Sequence, residues 1–229
     1  MFKECIENLE DITQEEWELL HRYKIVLSDL LDDLKSKGKL KSLCKMPTNF
    51  PKLIETNRKF NRTYNMMLKI FDEKGKSKRF VENNKDEFGI TEEDLPYLFI
   101  SQVLSCFIFN MEFLRITMLE ILKRDKFKET IPFRTLISKL SKISPEYGKK
   151  LEDEIDINLR NAVAHGTFWI DSRNLYYCDN MRLEKPISIE LSKLLIEVKR
   201  HNIIAQCFLC LVTEKLKKTF YSRLEDMIG

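Results

Sequence analysis

The sequence predicts a mainly α-helical fold carrying one small β-hairpin. Three observations carry that expectation. Glycine and proline number only 6 each in 229 residues, so long stretches run without a helix breaker. Leu, Ile, Lys and Glu fill those stretches, and their apolar members recur at three- and four-residue spacing. The run of β-branched and aromatic residues that marks strands is confined to residues 167–178. A hydrophobic content of 43% is enough for a core and excludes a disordered chain. A net charge of +3 excludes a polycation, so affinity for nucleic acid has to come from local patches.

Thr13-Gln14-Glu15-Glu16 reads as a capping box. Trp17, Leu20, Tyr23, Leu27, Leu30, Leu31 and Leu34 follow as one face of an amphipathic helix, which Gly38 ends. A second helix is expected from Pro51 to about residue 73, with Phe60, Tyr64 and Met67 among its apolar set. Residues 74–78 read as a loop and residues 77–88 as a short helix. Thr91-Glu92-Glu93-Asp94 caps a long apolar helix to about residue 124, with Pro96 tolerated in the first turn. Ile131-Pro132 opens a short helix to about residue 143. Ser144-Pro145 opens another, which Gly166 closes. Residues 167–171 and 175–178 form a hairpin around Ser172-Arg173-Asn174. Pro186-Ile187-Ser188 leads into a final helix over about residues 190–223. The chain divides into an N-terminal helical extension over residues 1–90, without an assigned role, and a helical bundle over residues 91–229.

The 6 cysteines show no zinc-ligand spacing. Cys207-x-x-Cys210 lies inside an apolar helical run and reads as two buried free thiols rather than a redox pair. Residues 95–111 lack charge and approach the length of a membrane span. Pro96, Gln102 and Asn110 interrupt them, and Glu112 and Arg115 follow directly, so a buried helix of a soluble bundle is expected. The first 11 residues are acidic and lack the apolar segment of a secretory signal. A reducing cytoplasm is the expected location, with no membrane partner.

The informative stretch is Asn158-Leu159-Arg160-Asn161-Ala162-Val163-Ala164-His165-Gly166. On a helix Asn158, Asn161 and His165 share one stripe, opposed by apolar Ile155, Leu159, Ala162 and Val163. Arg160 lies about 140° from His165 around the axis, within reach of a long side chain. These groups suit phosphodiester chemistry. Arg offers a permanently charged fork for phosphate oxygens. His exchanges a proton near neutrality. Asn orients either group or holds a ribose hydroxyl. RNA supplies its own nucleophile in the 2′-hydroxyl, so its cleavage requires proton transfer and charge stabilisation but no metal. No cofactor is implied.

Arg160-Asn161-Ala162-Val163-Ala164-His165 resembles the R-x4-6-H motif of HEPN-domain proteins, and the likeness covers roughly residues 92–222. The resemblance implies a HEPN-like helical bundle and a metal-independent endoribonuclease of the toxin or antiphage-defence type. It implies a composite cleft in a homodimer and, for toxins, an antitoxin protein as partner. Carried over, Arg160 binds the scissile phosphate, His165 is general acid or base and Asn161 positions one of them. Other family members are non-catalytic modules that bind RNA or nucleotide, or scaffold a defence complex, and that reading stays open. So does a helical adaptor in which the match is accidental.

Glu112 is a supporting candidate, either paired with Arg160 or Arg115 or exposed on the polar face of its helix. Asn158 supports it from the motif stripe. Arg160 has the alternative of a structural ion pair with Glu152, Asp153 or Asp156. Residues 35–62 carry nine Lys or Arg against one acid, Glu55. Lys39, Lys41, Lys45, Lys52, Arg58 and Arg62 there read either as a solvated face or, with Phe50, Phe60 and Tyr64, as an RNA track. Trp169, Tyr176 and Tyr177 either pack the hairpin onto the bundle or stack bases. His21 and His201 read as structural.

Overall fold

A computed structural model describes residues 14–41, 76–122, 131–171, 173–178 and 185–228, with positions 52, 55, 56, 59, 62–64 and 66 besides. Its side chains are described as far as Glu214. The first helix, α1, spans Gln14–Ser36. It buries Leu20, Tyr23, Leu27, Leu30, Leu31 and Leu34, the face that the apolar spacing marks, except that Trp17 at its start is exposed. Gly38 ends the helix in the left-handed region at φ 64°, where glycine has no Cβ to strain. The Lys41 N–H then donates to the Ile121 carbonyl at 2.8 Å, tying this turn to the end of the central helix. Thr13, Phe50 and Phe60 lie outside the described residues. The described positions from 52 to 66 are all helical; of them Tyr64 alone is buried, and it joins the common core.

The second helix, α2, spans Lys76–Phe88. The predicted cap before the long helix is present: the Asp94 carboxylate accepts from the Thr91 N–H at 2.8 Å and its hydroxyl at 2.7 Å. A 3-10 turn, Glu92–Asp94, leads into α3, Leu95–Ile121. This helix is long and apolar enough to cross a membrane by length and composition, and half of that stretch is buried in the fold. It packs against the last helix, with Phe107, Met111, Leu114 and Met118 in the core.

The short helices α4, Phe133–Ile143, and α5, Pro145–Glu154, lie against each other. A Cβ at Gly148 would stand 2.5 Å from the Leu140 carbonyl oxygen, so only glycine permits that approach. The sequence predicts one helix from Pro145 to Gly166; the structure divides it. Ile155 is extended (φ −104°, ψ 114°), and a separate helix α6, Ile157–His165, follows.

The hairpin is present as β1, Phe168–Asp171, and β2, Asn174–Tyr177. A third strand, β3, Ile187–Glu190, pairs antiparallel with β2, where the sequence predicts only a lead-in to the final helix. That helix, α7, spans Leu191–Ile228 and reaches past the expected end. It packs against α1 and α3, so the first helix shares one apolar core with the rest. The architecture is mainly helical with a small antiparallel sheet in the order β1-β2-β3.

Candidate functional site

The motif lies on α6, and the start of that helix is held from two sides through Asp156. Its Oδ1 caps the helix by accepting the Leu159 N–H at 2.9 Å. Its Oδ2 accepts the Tyr177 hydroxyl at 2.8 Å. Its backbone N–H donates to His201 Nε2 at 2.8 Å. The other ring nitrogen of His201, Nδ1, lies 2.6 Å from the Glu197 carbonyl oxygen. One nitrogen accepts, so the ring is neutral with its proton on Nδ1. His201 is fully buried, and that burial pulls its pKa down to about 4. Phe107 meets it edge-on at 5.1 Å. The structural reading of His201 stands. For Tyr177 the packing alternative is the one observed: it is buried on the inner side of the sheet, and burial and the Asp156 charge hold its phenol above the ordinary range. Only Trp169 and Tyr176 remain as surface aromatics of the hairpin.

Arg160 turns toward α3. Its side chain is 14% exposed, and its Nη2 pairs with Glu112. Its Nη1 donates to Asn161 Oδ1 at 3.1 Å. The acids near it in sequence, Glu152, Asp153 and Asp156, are not its partners; Glu112, 48 residues away, is. Glu112 also accepts from Arg115 Nε at 2.6 Å, so the paired reading of Glu112 is the one observed and two guanidiniums share one carboxylate. Arg115 Nη1 reaches the Ile131 carbonyl at 3.3 Å. The Arg160 Nε–H is buried without a hydrogen-bond partner among the described residues, which costs free energy in a packed site.

His165 sits one turn beyond Asn161 and is exposed. Among the described residues nothing hydrogen-bonds its imidazole. Gly166, at φ 68°, closes α6 as the sequence predicts, and the Thr167 N–H caps the Ala162 carbonyl at 2.9 Å. The structure thus brings Arg160, Asn161 and Glu112 into contact and leaves His165 open at the helix end.

Asn158 accepts from Arg134 Nη2 at the start of α4. Arg134 escapes a reading along the sequence, because nothing in its neighbourhood announces a contact 24 residues away. Trp169 and Tyr176 are cross-strand partners whose rings stack at 5.5 Å and 7° on the outer face of the sheet. Of the basic run, Lys41 pairs with Glu120 at 3.8 Å and Lys39 is half-buried, while Lys52 and Arg62 are exposed. Lys45 and Arg58 lie outside the described residues, as do Cys5 and Cys44. Cys106, Cys178, Cys207 and Cys210 are buried free thiols, and burial pushes Cys207 up to about 12. Among the described residues no group of three or more His, Cys, Asp or Glu is placed to hold a metal ion.

The chain matches no family model, no curated protein and no solved structure. The site has to be understood from its own chemistry.

Proposed function

We propose that this chain is a metal-independent endoribonuclease of the HEPN type, acting on single-stranded or loop RNA. The observation that carries the reading is the Arg160 guanidinium bonded to Asn161 one turn before a solvent-exposed His165. In this reading a 2′-oxygen attacks the neighbouring phosphorus as an imidazole takes its proton. The 5′-oxygen leaves and receives a proton, giving a 2′,3′-cyclic phosphate and a 5′-hydroxyl. Arg160 stabilises the charge gathering on the phosphate oxygens. Glu112 holds that guanidinium ready. Because Arg115 also pairs with Glu112, the carboxylate keeps a cation when a phosphate takes over Arg160.

One imidazole does not supply both base and acid at once, and His165 lacks an orienting partner among the described residues. A second copy of the chain, presenting its own His165 across a shared cleft, completes the set. A toxin or antiphage role in the cytoplasm, with an antitoxin protein as partner, goes with this reading. Trp169 and Tyr176 offer a stacking surface four and more residues beyond His165.

The second reading is a non-catalytic HEPN module that binds RNA or scaffolds a complex. What favours it is the pairing of Arg160 with Glu112, which occupies a guanidinium donor that a phosphate would need. End-labelled single-stranded RNA, incubated with the protein in excess chelator, separates the two. Cleavage leaving 2′,3′-cyclic phosphate ends supports the nuclease. Binding without cleavage supports the module, and neither supports an adaptor.

A further inference from the structure

Side chains of the three strands alternate between core and solvent. Phe168, Ile170, Leu175, Tyr177 and Ile189 pack into the core, so the residues between them face out. The register places Trp169, Tyr176 and Ser188 in one outer row across the sheet, and Asp171, Asn174 and Glu190 in the next. Neighbours within a row are about 4.8 Å apart, and the two rows about 6.6 Å.

The first row is a stack that stops one place short. The rings of Trp169 and Tyr176 lie parallel, 5.5 Å apart at 7°, and Trp169 is exposed. The third place belongs to Ser188, which is exposed and too small to cover a ring. Among the described residues Trp169 is the one ring in contact with Tyr176. A planar group set over Ser188 continues the stack. The second row borders that place with hydrogen-bonding groups. Glu190 lies two residues along the same strand and is exposed, and Asn174 is its direct cross-strand neighbour. Glu190 has no hydrogen bond or ion pair among the described residues, whereas Asp171 has an interaction within the fold.

We infer that this slot binds one guanine of the RNA strand, stacked on Tyr176 above Ser188, with Glu190 and Asn174 reading its Watson–Crick edge. The inference rests on the nuclease reading above for RNA as the ligand. Donor and acceptor chemistry selects the base. An ionised carboxylate only accepts hydrogen bonds. Guanine has two adjacent donors, N1–H and the N2 amine, which together fit one carboxylate, and its O6 accepts from the Asn174 amide. Adenine and cytosine have one amine beside a ring nitrogen that accepts, and uracil has one N–H between two carbonyls. Each of these sets a lone pair against Glu190, which a site built for donors rejects. The slot is two strands, about 10 Å, from Trp169, and Trp169 is at most about 14 Å of chain from His165. That is about seven stacked nucleotides at most, so one short strand reaches both. Glu190 and Asn174 set specificity and do not touch the reacting bond.

Fluorescence anisotropy with labelled, fully 2′-O-methylated uridine octamers gives the test, because these lack the nucleophile and binding is read apart from cleavage. An octamer with one guanine should bind wild type about tenfold tighter or more than one with adenine in its place. Hypoxanthine, which lacks the N2 amine, should fall between them. Glu190→Ala should bring the guanine-to-adenine ratio close to one without moving the melting temperature. Ser188→Phe fills the slot and should do the same. Equal binding of the two octamers by wild type, or a preference that survives either variant in folded protein, overturns the inference. Cleavage of unmodified RNA in excess chelator then still supports the nuclease. If guanine is preferred and the variants abolish the preference, but unmodified RNA stays intact, the slot stands and the nuclease reading falls. If no octamer binds and no RNA is cut, both fall.

Discussion

The two ends of α6 follow opposite plans. At its start, Asp156 is held by α7 through His201 and by β2 through Tyr177, and it caps the helix itself. At its end, His165 faces solvent with no hydrogen-bond partner among the described residues. Histidine serves at both, neutral and buried in one place and open in the other. The difference shows how a short helix presents chemistry. Slipping by one residue would swing every side chain by about 100°, so one end is clasped to fix the rotation and the other is left accessible. Arg160 sits between, partly clasped by Glu112 and partly aimed at the open stripe through Asn161.

Breaking that middle position should have the largest effect. Arg160→Ala is expected to lower single-turnover RNA cleavage by about 10²- to 10³-fold, with a stability loss of only about 1 kcal/mol, because Glu112 keeps Arg115. Parallel cleavage and urea-unfolding measurements check both numbers. A protein that loses stability and keeps its activity would assign Arg160 wholly to the clasp.

The clasp itself should titrate. His201 stays neutral in the fold down to about pH 4, whereas an unfolded histidine takes a proton near pH 6.5. Above both values neither state is protonated and the contribution is whole. As pH falls from about 6.5 toward about 4, the unfolded chain gains a proton that the fold refuses, and about 3 kcal/mol is lost. Glu197 works with the opposite sign, since burial raises its pKa and its contribution disappears as pH rises. Urea unfolding of wild type against His201→Gln across this range isolates the histidine; equal slopes would sink the assignment.

Asp156→Ala removes the cap and the Tyr177 acceptor together and should cost about 2 kcal/mol. Circular dichroism of the unfolding transition measures it, and a loss below about 0.5 kcal/mol would mean the clasp adds little. The smallest effect belongs to the open side. Trp169→Ala should weaken single-stranded RNA binding by about 1 kcal/mol without moving the melting temperature, read by fluorescence anisotropy and thermal denaturation.

What the sequence made legible was local. The α1 face, the cap at Thr91 and Asp94, the stop at Gly166 and the presence of the hairpin all depend on residues within a few positions of one another; its register, with Asn174 paired to Asp171 instead of lying in the turn, came only from the structure. What it hid was held by distant partners. The break at Ile155 and Asp156 is fixed by His201, 45 residues on, and by Tyr177, 21 residues on. The strand Ile187–Glu190 exists by pairing with β2, because four residues after a proline carry too short an alternation to declare themselves. The motif residues were visible as a pattern, and a pairing of Glu112 with Arg160 or Arg115 was one of two open readings, but nothing along the chain announced that Arg134 would join Asn158.

The central claim is that the open end of α6 is where RNA is cut. The most direct measurement is cleavage of labelled single-stranded RNA in excess chelator by wild type and His165→Ala, with thermal melts of both. The account predicts a loss of about 10²-fold or more in rate and a stability within about 0.5 kcal/mol of wild type, as befits an exposed side chain. Equal cleavage by the two proteins, or RNA left intact by both, would contradict it.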